Sequence, residues 1–197
     1  MHATPAGLGA VLQRFGGRAA RPSPRIRPIR RSDAQAVRAF VVGLSNRSRL
    51  LRYFRPLREL PEQLLRQLTE ADGERDAVFV ALARDAAGTR IVGLAQYART
   101  DVACCEFALV IADAWQGQGL GRRLLQRLLG AAQSAGVAQM HGDVLRENRA
   151  MLGLARAMGF SVSASPLDPS ALRVTRDLER AARPMPRFAA QRAPLPA

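Results

Sequence analysis

No lysine occurs in this sequence of 197 residues; all thirty of its basic residues are arginines. No side chain of the chain can therefore be acylated on lysine, and no lysine is available to reach the phosphates in a G-x-x-x-x-G-K-[ST] loop, which excludes that class of nucleotide hydrolase. Cysteine is limited to Cys104 and Cys105. Adjacent residues of a strand point to opposite faces, so the pair suits neither a disulfide nor a metal site. A reducing cytoplasm is the simplest compartment. Histidine occurs only at His2 and His141. No metal-ligating cluster is visible, and His141, on a strand, reads as structural. No apolar run approaches the roughly 18 residues of a membrane helix, so no membrane association is expected. Aromatic residues are scarce, at 5%, and no nucleic-acid-binding motif accompanies them. That weighs against a nucleic-acid partner even though the net charge of +14 favours polyanions.

What is present is enough apolar residue, 48%, for one substantial core. Residues 1–24 hold arginine, glycine and proline but no acid; they read as a disordered basic tail, with an organelle-targeting segment as the alternative. Order is expected from 25 to 178. A short strand with Pro28 marks a sheet edge. Ser32 or Asp33 caps a helix ending near Gly43. A second helix spans Ser45 to Phe54 with Leu50, Leu51 and Phe54 inward, and a third has Pro61 at its first position. A hairpin follows, from strands 76–83 and 91–99. Then come a strand over 103–111, a long helix to about Ala135, a strand over 139–145, a helix over 148–158 closed by Gly159, and two last strands paired across the Pro166–Pro169 turn. Residues 179–197 are Arg/Pro/Ala-rich without periodicity and read as a second disordered tail. The fold class is mixed α/β.

The chain is organised around Cys104 to Gly121. An apolar strand ends in Gln116-Gly117-Gln118-Gly119-Leu120-Gly121 and opens a helix whose stripe is Leu120, Leu124, Leu125, Leu128, Leu129 and Ala132. The first turn of a helix has unpaired N–H groups and partial positive charge, and glycines let an anion come close to them. The dinucleotide fingerprint G-x-G-x-x-G does not match the Gly117-x-Gly119-x-Gly121 spacing, and the position in the chain is wrong for a first βαβ unit.

With Gln116-x-x-Gly119-x-Gly121, the order of elements, and Asn148 followed by Met158-Gly159-Phe160, the chain resembles the GNAT superfamily of N-acetyltransferases over residues 25–178. Further likeness, to the acetyltransferase domain of bacterial protein-lysine acetyltransferases, lies in the Phe40–Arg49, Leu68–Asp72, Glu106-Phe107-Ala108 and Asn148–Ala155 stretches. The resemblance implies a GNAT fold: a mixed, mostly antiparallel sheet with helices on both faces. It implies acetyl-CoA as co-substrate, and a protein lysine as acceptor. Gln116, Gly117, Gln118, Gly119, Leu120, Gly121 and Arg122 would surround the pyrophosphate, with Arg123 adding charge. Ala108, Leu109 and Val110 would meet the pantetheine arm through main-chain groups, and Asn148 would contact the cofactor by its side chain. Glu106 would be the general base. By strand alternation it shares a face with Cys104, Ala108 and Val110, so it is expected to be buried among apolar neighbours, with its pKa raised. The tyrosine that many members carry in the last helix, the acid for the leaving thiolate, is replaced by Ala155. A small amine as acceptor, a non-catalytic acyl-CoA sensor and a nucleic-acid module remain as alternatives.

Overall fold

The computed structural model describes residues 23–73, 75–85 and 88–178. The expectations for the two tails fall outside these residues, apart from Ser23 and Pro24, as does the tip of the hairpin at 86–87. In chain order the elements are β1 (Arg25–Pro28), α1 (Ala34–Val42), α2 (Asn46–Tyr53), α3 (Glu62–Thr69), β2 (Asp76–Asp85), β3 (Gly88–Arg99), β4 (Cys104–Ile111), α4 (Leu120–Ser134), β5 (Gln139–Leu145), α5 (Arg149–Ala157), β6 (Ser161–Ala164) and β7 (Ala171–Asp177). Short 3₁₀ turns at Arg31–Asp33 and Asp113–Trp115 lead into α1 and the glycine turn. The expected element order is observed throughout.

The seven strands form one sheet in the order β1-β2-β3-β4-β5-β7-β6, antiparallel at every pairing except β4–β5. Pro28 sits on an edge strand, where its missing N–H costs no ladder bond. Alternation along the strands sends side chains to two apolar layers. On one face α4 and α5 bury Leu124, Leu125, Leu128, Leu152 and Ala155 against Phe107, Met140 and Val174. On the other, α1 and α3 bury Val37, Phe40, Leu65 and Leu68 against Val80, Leu94 and Val110. Helices therefore cover both faces, and none of the described helices is long and apolar enough to cross a membrane.

Two details differ from the sequence-based expectation. Pro61 is the N-cap of α3 rather than its first residue. Leu50 of α2 and Phe54, the residue that ends it, are each 37% exposed instead of packed inward. This helix lies along β4 over open space instead of closing on a core, so its apolar residues border a cavity or solvent.

Candidate active site

The parallel strands β4 and β5 stay together for three residue pairs only, Cys104–Gln139, Cys105–Met140 and Glu106–His141. Beyond Glu106 they part. The main chain of β4 then presents one row of groups to β3 and leaves the other facing the gap. Two bonds fix which row is which: Ala112 donates to the Val92 carbonyl of β3, and Ala103 accepts from Ala138 and Gln139 at the head of β5. Alternation then turns the N–H and C=O of Phe107, Leu109 and Ile111 toward the gap. Ile111's carbonyl is capped by the Gln116 side chain (3.0 Å), which leaves Leu109 with its main chain facing the opening.

At the end of β4 the chain enters the glycine turn. Gly117 and Gly119 have φ of 69° and 78°, left-handed values that glycine adopts without cost. Gly119 is the N-cap of α4, and no side chain caps that helix. Its first-turn N–H groups point out with the dipole of fifteen residues behind them. Gly121 brings its Cα against Leu109 and Leu154, where an added Cβ would lie 3.6 and 3.3 Å from their methyl carbons.

Helix α2 is tied over this turn. Asp113 accepts from the Ser45 N–H (3.0 Å), the Ser45 hydroxyl (2.7 Å) and the Ser48 hydroxyl (2.8 Å), and Ser48 accepts in turn from Gln116 (3.2 Å). Burial pushes the Asp113 carboxyl up, but these hydrogen bonds outweigh it and hold the group below its ordinary value. On the opposite side Asn148 caps α5 by accepting from the Met151 N–H (3.1 Å).

Two adjoining cavities result. A cleft of about 1110 Å³ runs from the glycine turn along Leu109 to the start of α5, and its rim carries Arg47, Arg122, Arg146 and Arg149. A smaller cavity of about 450 Å³ holds Glu106, Asp143 and Asp168 with Arg52, Tyr53 and Arg55. Leu51, Arg52, Leu109, Asn148 and Met151 line both. One chamber is therefore suited to a long ligand with phosphates at the turn, and it opens beside Leu109 into a second with a carboxylate.

The profile of the acetyltransferase (GNAT) family matches residues 46–160, more than half of the chain. The chain belongs to this family. It is also 36% identical to the acetyltransferase PA5475 of Pseudomonas aeruginosa over 144 residues, 73% of this chain and 77% of that protein. Among solved structures, the GNAT domain of S. lividans PAT superposes with a TM-score of 0.72 at 23% identity, covering 79% of this chain and 90% of that one. The protein yncA of Salmonella typhimurium, solved with its cofactor acetyl-CoA, gives 0.62 at 20%, covering 82% and 97%. The GNAT fold expected from the sequence is thus the observed one.

Within this GNAT chain the expected residues fall into distinct positions. Leu109, Val110, Gln116, Gly117, Gly119, Gly121, Arg122 and Asn148 line the larger cleft. Val110, however, turns its main chain to β3 and its buried side chain to α1 and α3. Ala108 borders the smaller cavity. Leu120, the first residue of α4, has its side chain buried in the core. Gln118 is exposed and donates to the Ala114 carbonyl (3.0 Å). Arg123 is turned away, donating to Ser23 (2.7 Å) and the Pro24 carbonyl (2.9 Å).

Glu106 requires the main correction. It is exposed on the cavity wall rather than buried in apolar surroundings, because α2, which borders the same cavity through Arg52 and Tyr53, does not close over it. Its surroundings are charged: the fields of Arg52 and Arg173 reach it. His141 stands beside it in the strand register but does not line the cavity. Burial pushes the Cys105 thiol up to about 12, which makes it an inert core residue rather than a nucleophile. Sequence reasoning missed Arg52, Tyr53 and Asp143. The first two sit on α2, whose inward face was read from its leucines; the third faces the site only through the β5 register.

Proposed function

We propose that this GNAT protein is an acetyl-CoA-dependent N-acetyltransferase that acetylates a primary amine, a protein lysine, by direct attack with Glu106 as general base. The observation that carries this reading is the contact between the two cavities: Leu109 borders both, and Glu106 faces the smaller one. Bound acetyl-CoA would supply an acetyl group activated as a thioester. The uncapped N–H groups from Gly119 to Arg122 and the arginines on the rim suit its phosphates. Leu109 offers an N–H and a C=O to the pantetheine arm, and its N–H would polarise the thioester oxygen. Glu106 accepts the proton from the incoming amine as the C–N bond forms and the C–S bond breaks. The position at which many members carry a tyrosine acid is Ala155, fully buried in the core, so the thiolate departs without an acid from α5 and takes its proton from water. The two free cysteines suit a reducing cytoplasm.

Thiol-release kinetics test the reading. Wild type should turn over acetyl-CoA with lysine-bearing proteins such as acyl-CoA synthetases in preference to polyamines. Glu106→Gln should lower kcat by about 10²–10⁴-fold, the usual worth of a general base, with the Kd for acetyl-CoA unchanged. Retained turnover in Glu106→Gln removes the base assignment, and faster turnover of polyamines removes the protein acceptor.

A further inference from the structure

The Arg52 side chain stands in the wall common to both cavities. Its Nε is shut off from solvent and lacks a hydrogen-bond partner among the described residues. The guanidinium lies over the Tyr53 ring, 4.8 Å from its centroid, which engages one of its faces. Other half-buried arginines of the chain are differently placed: Arg27 forks onto Asp33 and Arg173 onto Asp143. A guanidinium carries five donors, and a buried donor without a partner costs about 1–3 kcal/mol. Such groups in native proteins are nearly always satisfied, by protein, water or ligand. Glu106 is near enough for its field to be felt, yet no ion pair joins the two among the described residues.

We propose that Arg52 recognises a carboxylate on the acceptor, so that the amine acetylated here carries a carboxylate close by. This rests on the acetyl-transfer reading above. The planar fork matches the two oxygens of a carboxylate. A phosphate dianion fits less well, because Glu106, Asp143 and Asp168 share the cavity and would repel the larger charge. The cofactor's own phosphates belong at the glycine turn, at the other end of the cleft. Glu106 takes the amine and Arg52 the carboxylate, which orients the acceptor at two points. The carboxylate has two possible sources: the α-carboxylate of a free amino acid, or an Asp or Glu side chain beside the target lysine of a protein.

Calorimetric titration of the full chain in the presence of coenzyme A, with two matched pairs of ligands, tests the proposal. One pair is lysine and lysinamide; the other is a lysine peptide flanked by Glu or by Gln. At least one carboxylate member should bind about tenfold tighter than its amide, the order expected of a hydrogen bond to a charged group, and the pair that discriminates identifies the source. Arg52→Gln should erase the difference within each pair, while Arg52→Lys should keep part of it. Equal binding within both wild-type pairs, no binding at all, or a difference that survives Arg52→Gln overturns the proposal. The wild-type pairs decide it even if Arg52→Gln does not fold. Thiol release with the same ligands separates the two claims: discrimination without turnover removes the acetyl-transfer reading and keeps Arg52's role, and turnover without discrimination does the reverse.

Discussion

Gly142, on β5, lies where the two parallel strands begin to part. A Cβ there would stand 2.9 Å from the Phe107 carbonyl oxygen and 3.1 Å from its ring. The oxygen is backbone and cannot step aside, so Gly142→Ala must push β5 from β4 or tilt the Phe107 ring away from Phe160, whose centroid lies 5.2 Å away. Overpacking of this kind costs about 1–3 kcal/mol. Urea denaturation should show that loss, and the Kd for acetyl-CoA should rise because the gap beside Leu109 changes width. A variant as stable as wild type with unchanged affinity would show that the strands separate for another reason. The glycines divide by how they could be foreseen. Gly117 and Gly119 were legible because their spacing before a helix is a local signal. Gly142 was not, since its role arises from a strand far away in sequence. Glu106 was legible as a residue but not in its setting, because alternation gives the face of a strand and not whether a helix closes over it.

Helix α2 shows the same limit one level up. Its place in the chain could be read; Ser45, expected as its first residue, is its N-cap and accepts from the Ser48 N–H (3.1 Å). What holds it over the cleft could not be read, because Asp113 reaches it from the turn after β4. Asp113→Ala would leave the Ser45 N–H and two hydroxyls without their acceptor and release the end of α2 nearest the glycine turn. Loss of charge-assisted bonds costs about 1.5–3 kcal/mol each where they are well buried; these are partly exposed, so the whole network should lose about that much. The cleft wall formed by Leu51 and Arg52 would loosen with it. We expect a lower Tm and a KM for acetyl-CoA raised several-fold, with kcat less affected because Glu106 lies on β4. A large fall in kcat at unchanged KM would instead place Asp113 in the chemistry.

At the scale of the whole molecule, acid should unfold this protein through a few aspartates. Arg27's hydrogen bonds hold the Asp33 carboxyl below its ordinary value, and Arg173's do the same for Asp143. Backbone N–H groups of Ala103 and Cys104 lower Asp101, and Asp113 is lowered by its serines despite burial. A carboxylate whose folded pKa is depressed contributes stability above its unfolded pKa and loses it as pH falls through the folded value. The window therefore opens at the ordinary aspartate pKa of about 4 and extends downward. Asp76 acts in the other direction: burial raises its pKa, so its contribution is present in acid and declines as pH rises. One such group against four leaves the net slope toward acid instability. Protonation also drives the net charge further above +14, which adds self-repulsion. The arginine partners do not soften the slope, since both are raised from an already high value and stay charged. The urea midpoint should be nearly constant from pH 7 to about 5 and fall steeply below 4. Asp143→Asn, which cannot titrate, should start from a lower midpoint and fall less steeply across the same window. An Asp143→Asn curve that runs parallel to wild type below pH 4 would mean that the pairing of β5 with β7 does not depend on the Asp143–Arg173 bridge.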